Sequence, residues 1–345
     1  MTRNRSRNVL LAVMLVPVLL AAGEREAEVV QLTGSDTTVT AKVLPDVRSA
    51  WFAGVPDSVR QGLAEEPEEW LDDLVLSLTG ELLDEHDRVR AIHDWVALSI
   101  AYDTSLLRAE TIPGQRCEDV LRTGRTVCGG YSNLFERMCR LAGIECVTIP
   151  GYARGERFRV LDEEDPTLQD HAWNAVRLGD TWRLLDVTWD AGRVMDGEYE
   201  QQYSSDYLLV PPGRLIHTHF PSDPRWQLLE PPLSAAEFSR LPYLRAEFFR
   251  YGLELLTPLE RVNRAGPQVS FELSVPMDVP VFARLLDPER RKQGPETRPE
   301  VSGGRSRFSV SLPDTGAWLV SVYAKRGPPG GRYNGVARFG FVRGD

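Results

Sequence analysis

The chain has 345 residues, room for two modest domains, and its 42% hydrophobic and 26% charged residues are an ordinary globular balance. The formal charge is −10, with no Lys/Arg run to offset it, which argues against partners such as nucleic acid or an anionic membrane surface. Four cysteines without a CxxC pair are too few for a disulfide-built scaffold.

Residues 1–23 read as an export signal. Arg3, Arg5 and Arg7 form a basic start, Val9 to Leu20 a short apolar stretch, and Ala21-Ala22-Gly23 a small-residue cleavage site before Glu24. The apolar stretch is short for a bilayer span, although an uncleaved N-terminal anchor has a similar pattern. No later segment is apolar enough to cross a membrane. The expected location is therefore outside the cytoplasm: periplasm, envelope or medium. Removing this segment takes three arginines and no acids, so the formal charge falls from −10 to −13.

Residues 24–80 read as a lead-in. Its strand-like pieces (Val29-Val30, Val39 to Val43) are broken by Gly, Pro and Asp. Pro67 then suits the first turn of a helix whose Trp70, Leu71, Leu74, Val75 and Leu78 share a face before Gly80. A second helix is predicted from about Asp87 to Ser99, half-buried through Val89, Ile92, Trp95 and Val96. Glycines 124, 129 and 130 mark a loop entering a third helix, which carries Leu134, Phe135, Met138 and Leu141 on one face and stops at Gly143. A strand Cys146–Ile149 closes at Pro150-Gly151. Two more strands, His171–Leu178 and Trp182–Val187, flank a tight turn at Gly179-Asp180. After a connection at 231–262 the period becomes two. Val269/Phe271/Leu273, Val281/Ala283/Leu285, Phe308/Val310/Leu312, Trp318/Val320/Val322 and Ala337/Phe339/Phe341 all alternate. Such short strands over 263–345 suggest a small β-sandwich of immunoglobulin type. The fold class expected is α+β, with a catalytic domain over 81–230 and this sandwich after it.

A thiol nucleophile needs a lowered pKa, a base within reach and donors for the oxyanion. Cys128, at the predicted start of a helix, gains the free N–H groups and dipole of that position. Gly129 and Gly130 leave room for a substrate backbone. A two-residue turn at 179–180 pairs residues whose numbers sum to 359, so 173 faces 186 and 171 faces 188. His171 and Asp186 then share a sheet face as diagonal neighbours, close enough for an Asp–His bond that fixes the imidazole. Each residue also has a plain structural reading: a buried cysteine, a satisfied strand histidine, a turn-capping acid. If Cys128 is free, at most one disulfide is possible among Cys117, Cys139 and Cys146, and the sequence does not choose it.

Gly124-Arg-Thr-Val-Cys128-Gly-Gly-Tyr131-Ser-Asn-Leu-Phe resembles the cysteine motif of the transglutaminase-like superfamily. His171-Ala-Trp-Asn174-Ala-Val resembles its histidine motif, and Trp182-Arg-Leu-Leu-Asp186-Val-Thr-Trp189 its aspartate motif. Tyr207-Leu-Leu-Val-Pro-Pro and Ile216-His-Thr-His-Phe-Pro-Ser-Asp-Pro are most similar to the kyphoscoliosis peptidase group, strongly over about 85–230. The resemblance implies a papain-like core, its cysteine-bearing helix packed on an antiparallel sheet carrying His and Asp. It implies Cys128 as nucleophile, His171 as base then acid, Asp186 as orienter, and a covalent thioester formed on a protein or peptide substrate. No metal or organic cofactor is expected. Gln115 is a candidate oxyanion donor, and Trp173 and Trp189 candidate neighbours of the site. His217 and His219, at i and i+2 without a third ligand nearby, are a weak metal signal in a stretch that the resemblance treats as structural. The first reading is an exported cysteine peptidase or amidase. Amine transfer from the same acyl-enzyme and a non-catalytic scaffold are the rivals.

Overall fold

A computed structural model of the chain describes residues 57–106, 115–155, 158–195, 197–287, 292–326 and 333–344. The expected export signal and the lead-in as far as residue 56 lie outside them. Among the described residues no helix is long and apolar enough to cross a membrane.

The helix Pro67–Thr79 has its proline in the first turn and Gly80 at its end. It buries Leu71, Leu74, Val75 and Leu78. The next helix, Glu85–Ser99, starts earlier than predicted because the Asp84 carboxylate accepts from the His86 and Asp87 N–H groups and caps it. It is also more deeply set than its apolar stripe suggested. All residues from Ala91 to Leu98 are buried, including His93 and Asp94.

The helix Cys128–Leu141 packs between those helices and a four-stranded antiparallel sheet. Leu134, Phe135 and Met138 join Val89, Ile92 and Val96 on one side and Val176 and Leu185 on the other in one core. The sheet runs in the order Thr181–Leu185, His171–Leu178, Cys146–Ala153, His219–Pro221. Its hairpin register is the one the turn demands, with Asn174 opposite Leu185 and Leu178 opposite Thr181. Gly179 supplies the positive φ, +55°, of that turn.

Two strand boundaries differ from expectation. Pro150 and Gly151 do not end their strand, which continues to Ala153. The Pro150 carbonyl accepts from the Ser222 N–H, so its proton-less nitrogen points away from the histidine strand, and that ladder is unbroken. The strand after the hairpin ends at Leu185, and Asp186 instead becomes the cap of a short helix, Val187–Ala191.

The C-terminal part is a β-sandwich. One sheet includes Gln268–Ser274 and Arg305–Ser311; the other includes Val281–Asp287, Gly316–Ala324 and Asn334–Arg343. Between them Phe271 stacks on Phe308, and Phe339 lies tilted against Phe271. The stretch expected as a connection at 231–262 is built into this sandwich. Tyr243–Leu244 pairs with the last strand, Glu254–Leu255 with Gln268–Ser274, and Val262–Ala265 runs parallel to 340–343. These pieces were illegible because two- to four-residue strands carry too few positions to show a period.

Candidate functional site

Cys128 opens its helix, and no side chain caps that start: Val127 occupies the capping position and no acid lies in the first turn. The dipole of the helix start thus acts on the Cys128 thiol, while the Gly130 and Tyr131 N–H groups are already bonded to the Val127 carbonyl. The two glycines that follow differ in role. A Cβ on Gly130 would sit 1.9 Å from Thr126 Oγ1 and 2.9 Å from Gln115 Oε1. The missing side chain of this buried residue therefore serves internal packing, a correction to its expected use by substrate. Gly129 is partly exposed, and a Cβ there would meet Gln115 Cγ only at 3.5 Å. Thr126 Oγ1 donates to Gln115 Oε1 at 2.6 Å, which fixes the carboxamide beside the helix start. Asn133 Nδ2 holds the Gln115 carbonyl at 3.0 Å.

The central strand brings His171 to the thiol. Its Nε2 lies 2.6 Å from Asp186 Oδ2, so Nδ1 is the nitrogen that faces Cys128. Asp186 is fully buried. Its Oδ1 accepts from the Trp189 N–H at 3.1 Å, so it both caps the short helix and receives the imidazole. The capping reading and the orienting reading of this aspartate describe the same side chain. Trp173 and Trp189 flank the imidazole, with ring centres at 6.1 and 5.7 Å.

A residue set aside in the sequence also belongs here. His219, on the edge strand and fully buried, places Nε2 3.0 Å from the same Asp186 Oδ2. His217 does not join it: its Nδ1–H donates to the Pro242 carbonyl at 3.0 Å and its ring lies against Phe249. Only the position of His219 beside Asp186 in space reveals it, and no spacing in the chain carries that signal. His171, Asp186 and His219 offer ligand atoms within 4.8 Å of one another. The 2.6 Å contact between the first two is nevertheless a hydrogen bond, shorter than the roughly 3.2 Å that two ligands on arms of about 2.0 Å keep around a tetrahedral ion.

Charge follows from this geometry. Burial alone pushes the Cys128 thiol up, but the positive His171, its hydrogen bond and the Ala172 N–H outweigh that and hold the thiol below its ordinary value. Burial pushes His171 down, yet the Asp186 carboxylate and the Cys128 thiolate raise it to about 10. Asp186 resists burial through His171 and His219 and stays well below the usual carboxylate range. The direction of all three shifts favours a thiolate–imidazolium pair backed by a carboxylate. The other cysteines are also free thiols. Burial raises Cys117, and burial together with the neighbouring Cys146 thiol raises Cys139.

A second buried network lies behind the site. His93 Nδ1 and Nε2 contact Asp94 Oδ1 at 2.8 Å and Asp190 Oδ2 at 3.0 Å, while Tyr203 donates to Asp94 and Ser204 to Asp190. It ties the helix Glu85–Ser99 to the short helix that Asp186 caps.

Residues 72–187 match the transglutaminase-like superfamily, and residues 235–342 match the KY-like, immunoglobulin-like domain. The human kyphoscoliosis peptidase is 40% identical over 185 residues, covering 53% of this chain and 28% of that protein. Hillarin of Drosophila melanogaster is 29% identical over 304 residues, 79% of this chain and 36% of its own length. The Lim and transglutaminase domain protein ltd-1 of Caenorhabditis elegans is 29% identical over 195 residues, 53% of this chain and 27% of its own. The chain thus spans about a third or less of these relatives.

Proposed function

Since residues 72–187 form a domain of the transglutaminase-like superfamily, joined to a KY-like, immunoglobulin-like domain, we propose that the chain is a cysteine peptidase or amidase acting on a protein or peptide. The observation that carries this reading is the bond of His171 Nε2 to a buried Asp186, which turns Nδ1 toward a thiol at an uncapped helix start. The Cys128 thiolate attacks the amide carbonyl carbon, and the carbonyl oxygen takes the negative charge beside the helix N–H groups and the Gln115 amide. The C–N bond breaks as His171 Nδ1–H protonates the leaving amine, which leaves a thioester on Cys128. A water molecule then gives a proton to Nδ1 and attacks the thioester, releasing the acid and restoring the ion pair. Asp186 keeps its charge throughout and orients the ring.

Mass spectrometry of the protein mixed with a peptide or activated-amide library tests this. An acyl adduct on Cys128 that decays in water is expected, along with its absence in Cys128→Ala. Turnover retained by Cys128→Ala would remove the thiol from the mechanism. Transfer of the acyl group to a labelled primary amine in preference to water would recast the enzyme as a transferase. We also propose that residues 1–23 direct export. Recovery outside the cytoplasm of a chain beginning at Glu24 is the expected result, and a full-length chain retained inside would refute it.

A further inference from the structure

We propose that His219 is a positioning residue that pins the Asp186 carboxylate through its Nε2–H, so that Asp186 keeps its grip on His171 without losing its charge. The inference rests on the thiol reading above and deepens it. Asp186 Oδ1 is held by the Trp189 N–H, but that bond alone leaves the carboxylate free to turn about it. Oδ2 carries the whole task of orienting His171 at 2.6 Å, and His219 Nε2 fixes that same oxygen at 3.0 Å from a second strand.

The choice of imidazole follows from charge. An arginine or lysine there would neutralise Asp186 and cancel the field that holds the proton on His171. A neutral imidazole donates a hydrogen bond and adds no charge. Burial, and the positive His171 nearby, keep His219 below its ordinary pKa despite Asp186. The tautomer is set by Asp186: its carboxylate only accepts, so the 3.0 Å contact needs the proton on Nε2, while Thr218 Oγ1, 2.9 Å from Nδ1 and 3.2 Å from the Leu215 carbonyl, holds the far side of the ring. The ring cannot swing away, because Trp189 at 4.4 Å, Trp173 at 5.1 Å and Tyr207 at 5.8 Å enclose it. The titratable groups facing it are Asp186, His171 and Tyr207.

The test is the rate of Cys128 alkylation by iodoacetamide at neutral pH in the full chain, read by mass spectrometry. His219→Phe keeps the ring and removes the donor; a loss of at least about tenfold is expected, the lower end of what a hydrogen bond to a charged group is worth. His219→Gln carries an amide N–H where Nε2 stood and should recover most of that loss, whereas the shorter His219→Asn should not. This pair decides the matter even if the phenylalanine variant fails to fold. In an Asp186→Asn background His219→Phe should have no further effect, because His219 acts through Asp186. Equal rates in folded His219→Gln and His219→Asn, or full additivity with Asp186→Asn, would overturn the proposal. So would saturable zinc binding by the wild type that His219→Gln abolishes. Wild-type Cys128 reacting no faster than a free cysteine would refute the underlying thiol reading as well, whereas a fast wild type insensitive to His219 refutes this inference alone.

Discussion

Replacing Arg154 by leucine should strongly destabilise the protein. Arg154 has no exposed surface. Its Nε and Nη2 grip Glu164 at 2.8 and 2.9 Å, and its remaining N–H groups donate to the carbonyls of His217, Leu241 and Phe238. The guanidinium also lies 4.2 Å from the centre of the Phe238 ring. It therefore joins the end of the strand Cys146–Ala153, the segment that leads into His219 and the short helix Ala235–Arg240 that carries Phe238. Leucine leaves a buried carboxylate, which costs about 3–5 kcal/mol; Arg261, 3.8 Å away, offsets only part of this. The His217 and Leu241 carbonyls are orphaned and add about 1 kcal/mol or more each, whereas that of Phe238 keeps the Leu241 N–H at 2.9 Å. A urea midpoint lower by about 1–2 M at unchanged slope is expected. The double variant Arg154→Leu/Glu164→Leu removes the stranded charge but not the orphaned carbonyls, so it should recover part of the loss and stay below wild type. A single variant within about 1 kcal/mol of wild type would refute the reasoning, because the buried pair would then carry no net stability.

Gly130→Ala should destabilise by about 1–3 kcal/mol, against the usual helix gain from alanine, because its Cβ meets Thr126 Oγ1 at 1.9 Å. Gly129→Ala should leave the thermal midpoint unchanged, and calorimetry of both variants checks the contrast. The His93 network predicts a pH dependence of folding. Burial pushes His93 down, but its bonds to Asp190 and Asp94 raise it to about 9. Its proton therefore contributes stability that is complete below pH 6.5 and lost as pH rises through about 9. The span amounts to about 3 kcal/mol. Urea unfolding from pH 6 to 10 should show this fall, and a flat profile would mean that His93 is neutral. Gln115→Ala should slow acylation of Cys128 by roughly 100-fold while sparing thiol alkylation, the signature of a lost oxyanion donor; equal slowing of both would assign Gln115 to packing.

The pairing of His171 with Asp186 was legible because a two-residue turn leaves the hairpin a single register. The cysteine helix was legible from its glycine-marked entry and apolar face. Other features depend on distances that the chain does not display. His219 meets Asp186 across 33 positions, from a three-residue strand without a period of its own. His93 and Asp94 lie off the apolar stripe of a helix expected to be half-buried; Asp190 and Tyr203, about a hundred positions later, satisfy them and let them be buried. Pro150 and Gly151 looked like a stop because proline lacks a donor, but a donor is needed only on the side where a ladder runs.

The central claim is an activated thiol at Cys128, and timed alkylation of all four cysteines at pH 7, in wild type and His171→Asn, tests it most directly. Cys128 should be modified first, well ahead of Cys117 and the buried Cys139 and Cys146. In the variant it should slow by at least about tenfold, because the charge and hydrogen bond of His171 are what hold the thiol down against its burial. A Cys128 that reacts no faster than Cys117, or that ignores the loss of His171, would contradict it.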